Sequence, residues 1–434
     1  MGKLLEVKEF DSITSNENYI DSEKYNYLEK HAFNNLINFV EQFATDEDDV
    51  DGLKFMTVTL KPHVGKVVSV KNYVGLIQMK NGSQLQVLPK IDFSEGVDEG
   101  NAKTKRIFLR MLRSMKYFPS KVFNDANLKV DRMNLYEIFI NMYLQEVRQL
   151  IKHGIKSGYV RREDNLNYFK GKLLINEHIK VNMAHKEKFY VSYDEFLPDR
   201  AENKLVKSTL LKLVNLTSSA ENSKEIRQLL IAFEMVKPSE NYEKDFARVK
   251  IDRSTKDYEL LIQWSRVFLM NKSFSTFSGN TNSRALLFPM ESVYGSYVAQ
   301  KVGKIFVPSG WSVSTQDKGK FLFMEPRKQF SLRPDIVIER ENRKIILDTK
   351  WKNLFNNSSK NYGITPQDMY QMYVYSKKYD TSEIWLLYPL NNEMRNHEQI
   401  EFNSGDGTNV RIFFVDVEYI EESLKKLKNM IEID

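Results

Sequence analysis

The sequence predicts a multi-domain α/β protein, in which a β-rich and helical N-terminal region precedes a C-terminal mixed sheet flanked by helices. Three observations lead there. An Asn-Gly turn between alternating runs marks β structure in residues 66–91. Apolar positions at helical spacing mark a mainly helical middle. From about Ala285 onward, helix-like and strand-like runs alternate, as an α/β domain requires. The chain has 434 residues, and at roughly 100–200 residues per domain this suits two or three domains. The expected boundaries are 1–125, 126–275 and 276–434.

Residues 1–60 are mixed and polar, and Glu41–Gly52 reads as an acidic loop. In "KVVSVKNYVGLIQMKNGSQLQVLPKI" (Lys66–Ile91), Asn81-Gly82 signals a hairpin, because a type I′ turn needs positive φ at both central residues. Leu85 and Val87 alternate with Gln84 and Gln86, which favours a two-strand reading. Leu135, Ile138, Phe139, Met142 and Tyr143 then form a helical core stripe. Asn203–Leu216, Ser223–Val236 and Asp257–Asn271 read as further helices. Lys272–Arg284, rich in Ser, Asn and Gly, reads as a linker at a domain boundary. Beyond it, Pro289 sits in the first turn of a helix. Strands are expected near Lys304–Val307, Phe321–Met324, Asp335–Glu339 and Lys344–Lys350. "TPQDMYQMYVYSKKY" reads as a helix and "EIWLLYPL" as a strand.

Composition narrows the chemistry. The chain has no Cys, which excludes a disulfide framework, a thiolate zinc site and a Cys nucleophile. Its N-terminus lacks the apolar core of a secretory leader, and Glu6 breaks a myristoylation pattern. No apolar run approaches the ~18 residues of a membrane span. A soluble, cytoplasmic chain with no membrane contact is expected. A net charge of +6 permits contact with a polyanion without demanding it. The His residues show no close pairing, no Ser or Thr sits in a nucleophile elbow, and no glycine-rich phosphate loop occurs.

The chemistry concentrates in "SLRPDIVIERENRKIILDTKWK" (Ser331–Lys352). A turn centred between Glu341 and Asn342 pairs Ile336 with Leu347, Val337 with Ile346, Ile338 with Ile345 and Glu339 with Lys344. The face carrying Ile336, Ile338, Ile345 and Leu347 is aliphatic and should be buried. The same register sets Asp335 opposite Asp348, and directly opposed like charges are destabilising. A shared divalent cation would offset the repulsion, and carboxylate oxygens suit Mg²⁺ or Mn²⁺. Lys350 projects from the same face as Asp348. The alternative is a structural hairpin in which Lys350 merely neutralises the two acids. Downstream, Thr365, Pro366 and Asp368 form a helix start with a capping box. Gln371 and Tyr375 follow on one face, either solvated or beside the metal, while Met369, Met372 and Tyr373 are candidates to pack inward. Glu291 lies in the first turn of the Pro289 helix, where the helix dipole alone favours an acid.

Pro334-Asp335, Asp348-Thr349-Lys350 and Gln371-x-x-x-Tyr375 together resemble the PD-(D/E)xK nuclease core. "LRPDIVI", "ILDTKWK" and "DMYQMYVYSKKY" are similar to motifs of the McrC family, the nuclease subunit of McrBC-type modification-dependent restriction systems. "YVGLIQMKNGSQLQVLPKI" and Tyr193–Leu213 extend the resemblance upstream, to roughly residues 60–390. The resemblance implies a Mg²⁺-dependent endonuclease for double-stranded DNA, leaving 5′-phosphate and 3′-hydroxyl ends. Asp335 and Asp348 would ligate the metal, Lys350 would position the attacking water, and Gln371 and Tyr375 would assist. It also implies docking of the N-terminal region on a McrB-like AAA+ hexamer. That partner would hydrolyse GTP under stimulation by a pore-inserting finger of this chain, and would read the modified cytosine. One departure stands out: where family members often carry an acid, this chain has Gly295, with Glu291 one turn earlier, so either Glu291 substitutes as an auxiliary residue or the helix acid is dispensable. A non-catalytic assembly and GTPase-activating subunit, or a stand-alone nuclease, are the alternative readings.

Overall fold

The computed structural model describes residues 4–44, 55–78, 83–91, 97–115, 134–270, 284–397 and 399–433. Internal contacts divide the chain into two compact units. One joins Met1–Ser120, Lys129–Arg132 and Phe274–Asp434, and the other comprises Lys121–Leu128 and Met133–Ser273. The expected N-terminal and C-terminal domains therefore fall in one unit. No helix among the described residues is long and apolar enough to cross a membrane.

The N-terminal elements are β1 (Leu4–Lys8), β2 (Ser12–Thr14), β3 (Asn26–Tyr27), α1 (Lys30–Ala44), β4 (Met56–Lys61), β5 (Gly65–Val70), β6 (Tyr73–Gln78), β7 (Gln84–Leu88) and α2 (Val97–Leu112). Phe33, Leu36, Ile37 and Val40 line one face of α1 at helical spacing and bury against Ile13, Val68 and Val87. The helix takes in Glu41, the start of the expected acidic loop, and residues 45–54 lie outside the described residues. Lys66–Ile91 holds three strands rather than two. Gln78 pairs with Gln84, one residue off the register of a two-residue Asn81-Gly82 turn, and that turn lies outside the described residues.

The second unit contains α3 (Leu135–His153), β8 (Gly158–Leu166), β9 (Lys172–Leu173), α4 (Ile175–Asn182), β10 (Phe189–Leu197), α5 (Ala201–Val214), α6 (Ala220–Ile231), α7 (Tyr242–Arg248) and α8 (Glu259–Met270). Asn134 caps α3 by accepting from the Glu137 N–H at 2.9 Å, and the predicted stripe of α3 is buried throughout. The Glu137 side chain is buried but satisfied, accepting from Thr217 Oγ1, Ser218 N and Asn222 Nδ2. β8 and β10 form a long antiparallel hairpin, with β9 and α4 between them in the chain.

The C-terminal elements are β11 (Arg284–Pro289), α9 (Met290–Phe306), β12 (Ser312–Thr315), β13 (Phe321–Phe323), β14 (Gln329–Ser331), β15 (Ile336–Arg340), β16 (Arg343–Thr349), α10 (Pro366–Tyr379), β17 (Glu383–Pro389), β18 (Ile400–Asn403), β19 (Asn409–Val415) and α11 (Ile420–Ile433). Residues 271–283, most of the expected linker, lie outside the described residues. Arg284 already belongs to β11, which pairs antiparallel with β6 and so ties the two ends of the chain into one unit. Gly75 permits this pairing: a Cβ there would lie 1.9 Å from the Leu286 carbonyl oxygen. Pro289 ends the edge strand β11 and caps α9 rather than sitting inside its first turn. Lys304–Val307, expected as a strand, closes α9, because Val302 and Phe306 continue its buried helical face.

A six-stranded mixed sheet, ordered β12-β15-β16-β17-β19-β18, is flanked by helices. β12, β15 and β16 run antiparallel, β16, β17 and β19 parallel. α10 covers one face, where Met372, Tyr375 and Tyr379 pack on Val337, Ile346, Ile384 and Leu386. α9 packs against β16, and α11 against α9 and β19.

Candidate active site

The β15–β16 hairpin adopts the register read from the sequence: Ile336 pairs with Leu347, Val337 with Ile346, Ile338 with Ile345, Glu339 with Lys344. Arg340 pairs with Arg343, and Glu341 in the turn has φ of 54°. The carboxylate face is covered as well as the aliphatic one, because Val337 and Ile346 lie under α10. Extending the register places Asp335, just before β15, opposite Asp348 near the end of β16.

Asp348 is 2% exposed. Lys350 Nζ forms an ion pair with Asp348 Oδ2 at 2.8 Å. Burial pushes the Asp348 carboxyl up to about 6; the Lys350 charge opposes the rise, and the Asp335 charge adds to it. Burial would push the Lys350 ammonium down, but Asp348, Asp368 and Asp335 outweigh it and hold its pKa above the ordinary lysine value. Lys350 also donates to Gln371 Oε1 at 2.9 Å, and Gln371 Nε2 donates to the Tyr375 hydroxyl at 2.8 Å. Burial and the nearby Asp348 push the Tyr375 hydroxyl up to about 12, so it stays protonated.

Asp348, Lys350, Gln371 and Tyr375 thus form one chain of contacts, and the solvated-face reading of Gln371 and Tyr375 does not hold. α10 brings the pair in. Thr365 and Asp368 form the capping box that starts it, and Met372 and Tyr375 face the sheet. Tyr373 does not pack inward but is exposed and donates to Asp406 Oδ2 at 2.7 Å. Glu291 is exposed in the first turn of α9 and accepts from Asn72 Nδ2 at 3.1 Å, making no hydrogen bond or ion pair with the cluster.

Sequence reasoning missed the residues that hold Asp335. Its Oδ1 accepts from Gln316 Nε2 at 2.9 Å, and its Oδ2 accepts from the Thr349 N–H at 2.9 Å and from the Thr349 hydroxyl. The Gln316 N–H donates to the Asp335 carbonyl at 3.0 Å, with Gln316 at φ 52°. Thr349 was visible in the Asp-Thr-Lys run, but Gln316 carried no signal because its role depends on β12 pairing with β15. Gly295 faces the same place. A Cβ on it would lie 3.0 Å from Thr349 Oγ1 and 3.8 Å from Asp335 Oδ2.

Carboxylate oxygens suit a small hard cation. The Asp335 charge acts on Asp348, and among the described residues the buried Asp348 Oδ2 has no partner beyond the Lys350 ammonium. Among the described residues no group of three or more His, Asp or Glu is arranged to hold a metal. Mg²⁺ matches such a set, since it keeps several waters and takes only one or two carboxylates.

A family model described as McrBC 5-methylcytosine restriction system component matches residues 68–389. No curated protein matches the chain. Among solved structures, it is similar to a chain in the refined half-complex from the tetradecameric assembly of Thermococcus gammatolerans McrB AAA+ hexamers with bound McrC. The TM-score is 0.69 at 18% identity, covering 98% of this chain and 100% of that one. A chain of the Thermococcus gammatolerans McrBC complex gives a TM-score of 0.47 at 19% identity, covering 70% of this chain and 88% of that one. The family match spans well over half of the 434 residues, and so this chain belongs to the McrBC restriction-system component family.

Proposed function

We propose that the chain is the nuclease subunit of a modified-DNA restriction complex, with a PD-(D/E)xK centre hydrolysing phosphodiester bonds of double-stranded DNA in the cytoplasm. The observation that carries this reading is the contact chain from buried Asp348 through Lys350 and Gln371 to Tyr375, beside Asp335. Asp335 and Asp348 would hold Mg²⁺, which supplies Lewis-acid polarisation and a lowered water pKa when bound. Above about pH 6 Asp348 is ionised and fit to ligate. Lys350 keeps its proton and offsets charge that builds on the phosphate as water attacks. Gln371 fixes the lysine, and Tyr375 fixes Gln371, so neither needs to reorganise during the reaction.

The solved similar chain comes from an assembly of McrB AAA+ hexamers with bound McrC. We infer the same kind of partner here, a GTP-hydrolysing ring that this chain stimulates. The β8–β10 hairpin supports the role of a pore-inserting finger. Residues between its strands expose Tyr168, Phe169, Ile175, Ile179 and Met183, more apolar surface than an unpartnered loop needs. The test compares cleavage of modified duplex DNA by the chain alone and with its ring partner, GTP and Mg²⁺. Cleavage only in the complete mixture is expected. Robust cleavage by the chain alone would favour a stand-alone nuclease, and GTPase stimulation without any cleavage would favour an assembly subunit.

A further inference from the structure

The β13–β14 hairpin forms its own two-stranded arm, which pairs with no described strand of the six-stranded sheet and touches α10 through β13. Phe321 pairs with Ser331 and Phe323 with Gln329, and the Leu332 N–H donates to the Lys320 carbonyl at 2.9 Å. The arm leaves the sheet after β12 and returns immediately before Asp335. Its root is closed by Gln316, whose backbone and side-chain N–H groups both bond to Asp335.

The arm carries Lys318, Lys320, Arg327, Lys328 and Arg333 against only Asp317 and Glu325, and all five cations are exposed. None of the five pairs with a carboxylate of a described residue. Phe323, Met324 and Phe330 are 54%, 57% and 67% exposed. The Phe323 and Phe330 rings meet edge to face at 6.0 Å. Phe330 has φ of 55°, a conformation bulky side chains rarely adopt, and strain of this kind gathers at ligand clamps. Exposed cations without carboxylate partners, one of them Lys328 over the Phe321 ring at 5.8 Å, stand beside exposed apolar side chains. This suits a nucleic-acid duplex, whose phosphates take the cations and whose groove takes the apolar groups. A protein partner fits less well, since the cores of protein interfaces are depleted in lysine.

Resting on the nuclease reading above, we propose that the β13–β14 arm is a duplex-DNA clamp that grips the phosphate backbone beside Asp335, with Gln316 tying the clamp to that carboxylate. The clamp would set which phosphate reaches the carboxylates, while base reading is left to other surfaces.

The test uses the full-length chain carrying Asp348→Ala and a short labelled DNA duplex, with binding measured across a salt series. Lys320→Gln, Arg327→Gln, Lys328→Gln and Arg333→Gln are combined on the arm. Lys425→Gln with Lys426→Gln on exposed positions of α11 serves as the control. The arm variant should lose at least about tenfold in affinity at low salt, and its log–log salt slope should be shallower by about three to four, while the control matches the parent. Equal binding by the arm variant, no binding by the parent, or the same loss in the control would overturn the proposal. So would an arm variant that keeps DNA binding but no longer assembles with an AAA+ ring, which would mark a protein interface. DNA cleavage by the Asp348→Ala parent would count against the nuclease reading and leave the binding comparison intact.

Discussion

At Asp348 a buried carboxyl sits between a like charge and an ammonium, and burial prevails. Its pKa stands at about 6, above the ordinary aspartate value of 3.8. Between those values the folded chain binds a proton that the unfolded chain releases, so this group adds stability as pH falls and removes it as pH rises through about 6. Asp348→Asn should therefore raise the metal-free melting temperature more at pH 7.5 than at pH 5. Thermal melts at the two pH values check this, and an equal shift would show that the carboxyl is not held protonated. Gly295 in α9 faces Thr349 and Asp335. Gly295→Ala gains about 0.8–1.0 kcal/mol of helix propensity. The new Cβ would press on Thr349 Oγ1 at 3.0 Å, and overpacking costs about 1–3 kcal/mol. The second effect should win slightly. Because Thr349 holds Asp335, Mg²⁺ affinity by calorimetry should fall more than stability does.

Among the elements, the β15–β16 hairpin was the most legible. Its period-two alternation and polar tip left one register that buries the aliphatic residues, and a slip of one would expose them. The start of α10 was equally plain, since Thr365, Pro366 and Asp368 each match a cap position. Thr365→Ala should cost about 1 kcal/mol in denaturant unfolding, as lost N-caps do. Other elements were ambiguous or unread. "KIFV" at Lys304–Val307 is short and apolar, and such runs suit a strand or a helix end alike. α1 and α11 carry clear stripes (Phe33, Leu36, Val40; Leu424, Leu427, Ile431), but polar surroundings hid them. The β6–β7 register escaped because Asn81-Gly82 suggested a shorter loop than the pairing of Gln78 with Gln84 allows.

Across the whole molecule, the sequence could not reveal that its two ends share one unit. That follows from β11 pairing with β6, a contact between residues some two hundred positions apart. The same long-range pairing brings the N-terminal strands and the six-stranded sheet into one unit. Glu9, after β1, accepts from the Trp351 indole at 2.8 Å, one residue past Lys350. The paired acids and lysine were readable because the site lies on one local hairpin and the helix that covers it. Gln316 was not, because it enters from the neighbouring strand β12. On the nuclease reading, these residues perform DNA hydrolysis within a ring-driven complex. Asp348→Ala in the assembled complex, assayed in parallel for DNA cleavage and for stimulated GTP hydrolysis, tests it most directly. Cleavage should be abolished while assembly and GTP hydrolysis persist. Cleavage at the wild-type rate would contradict it.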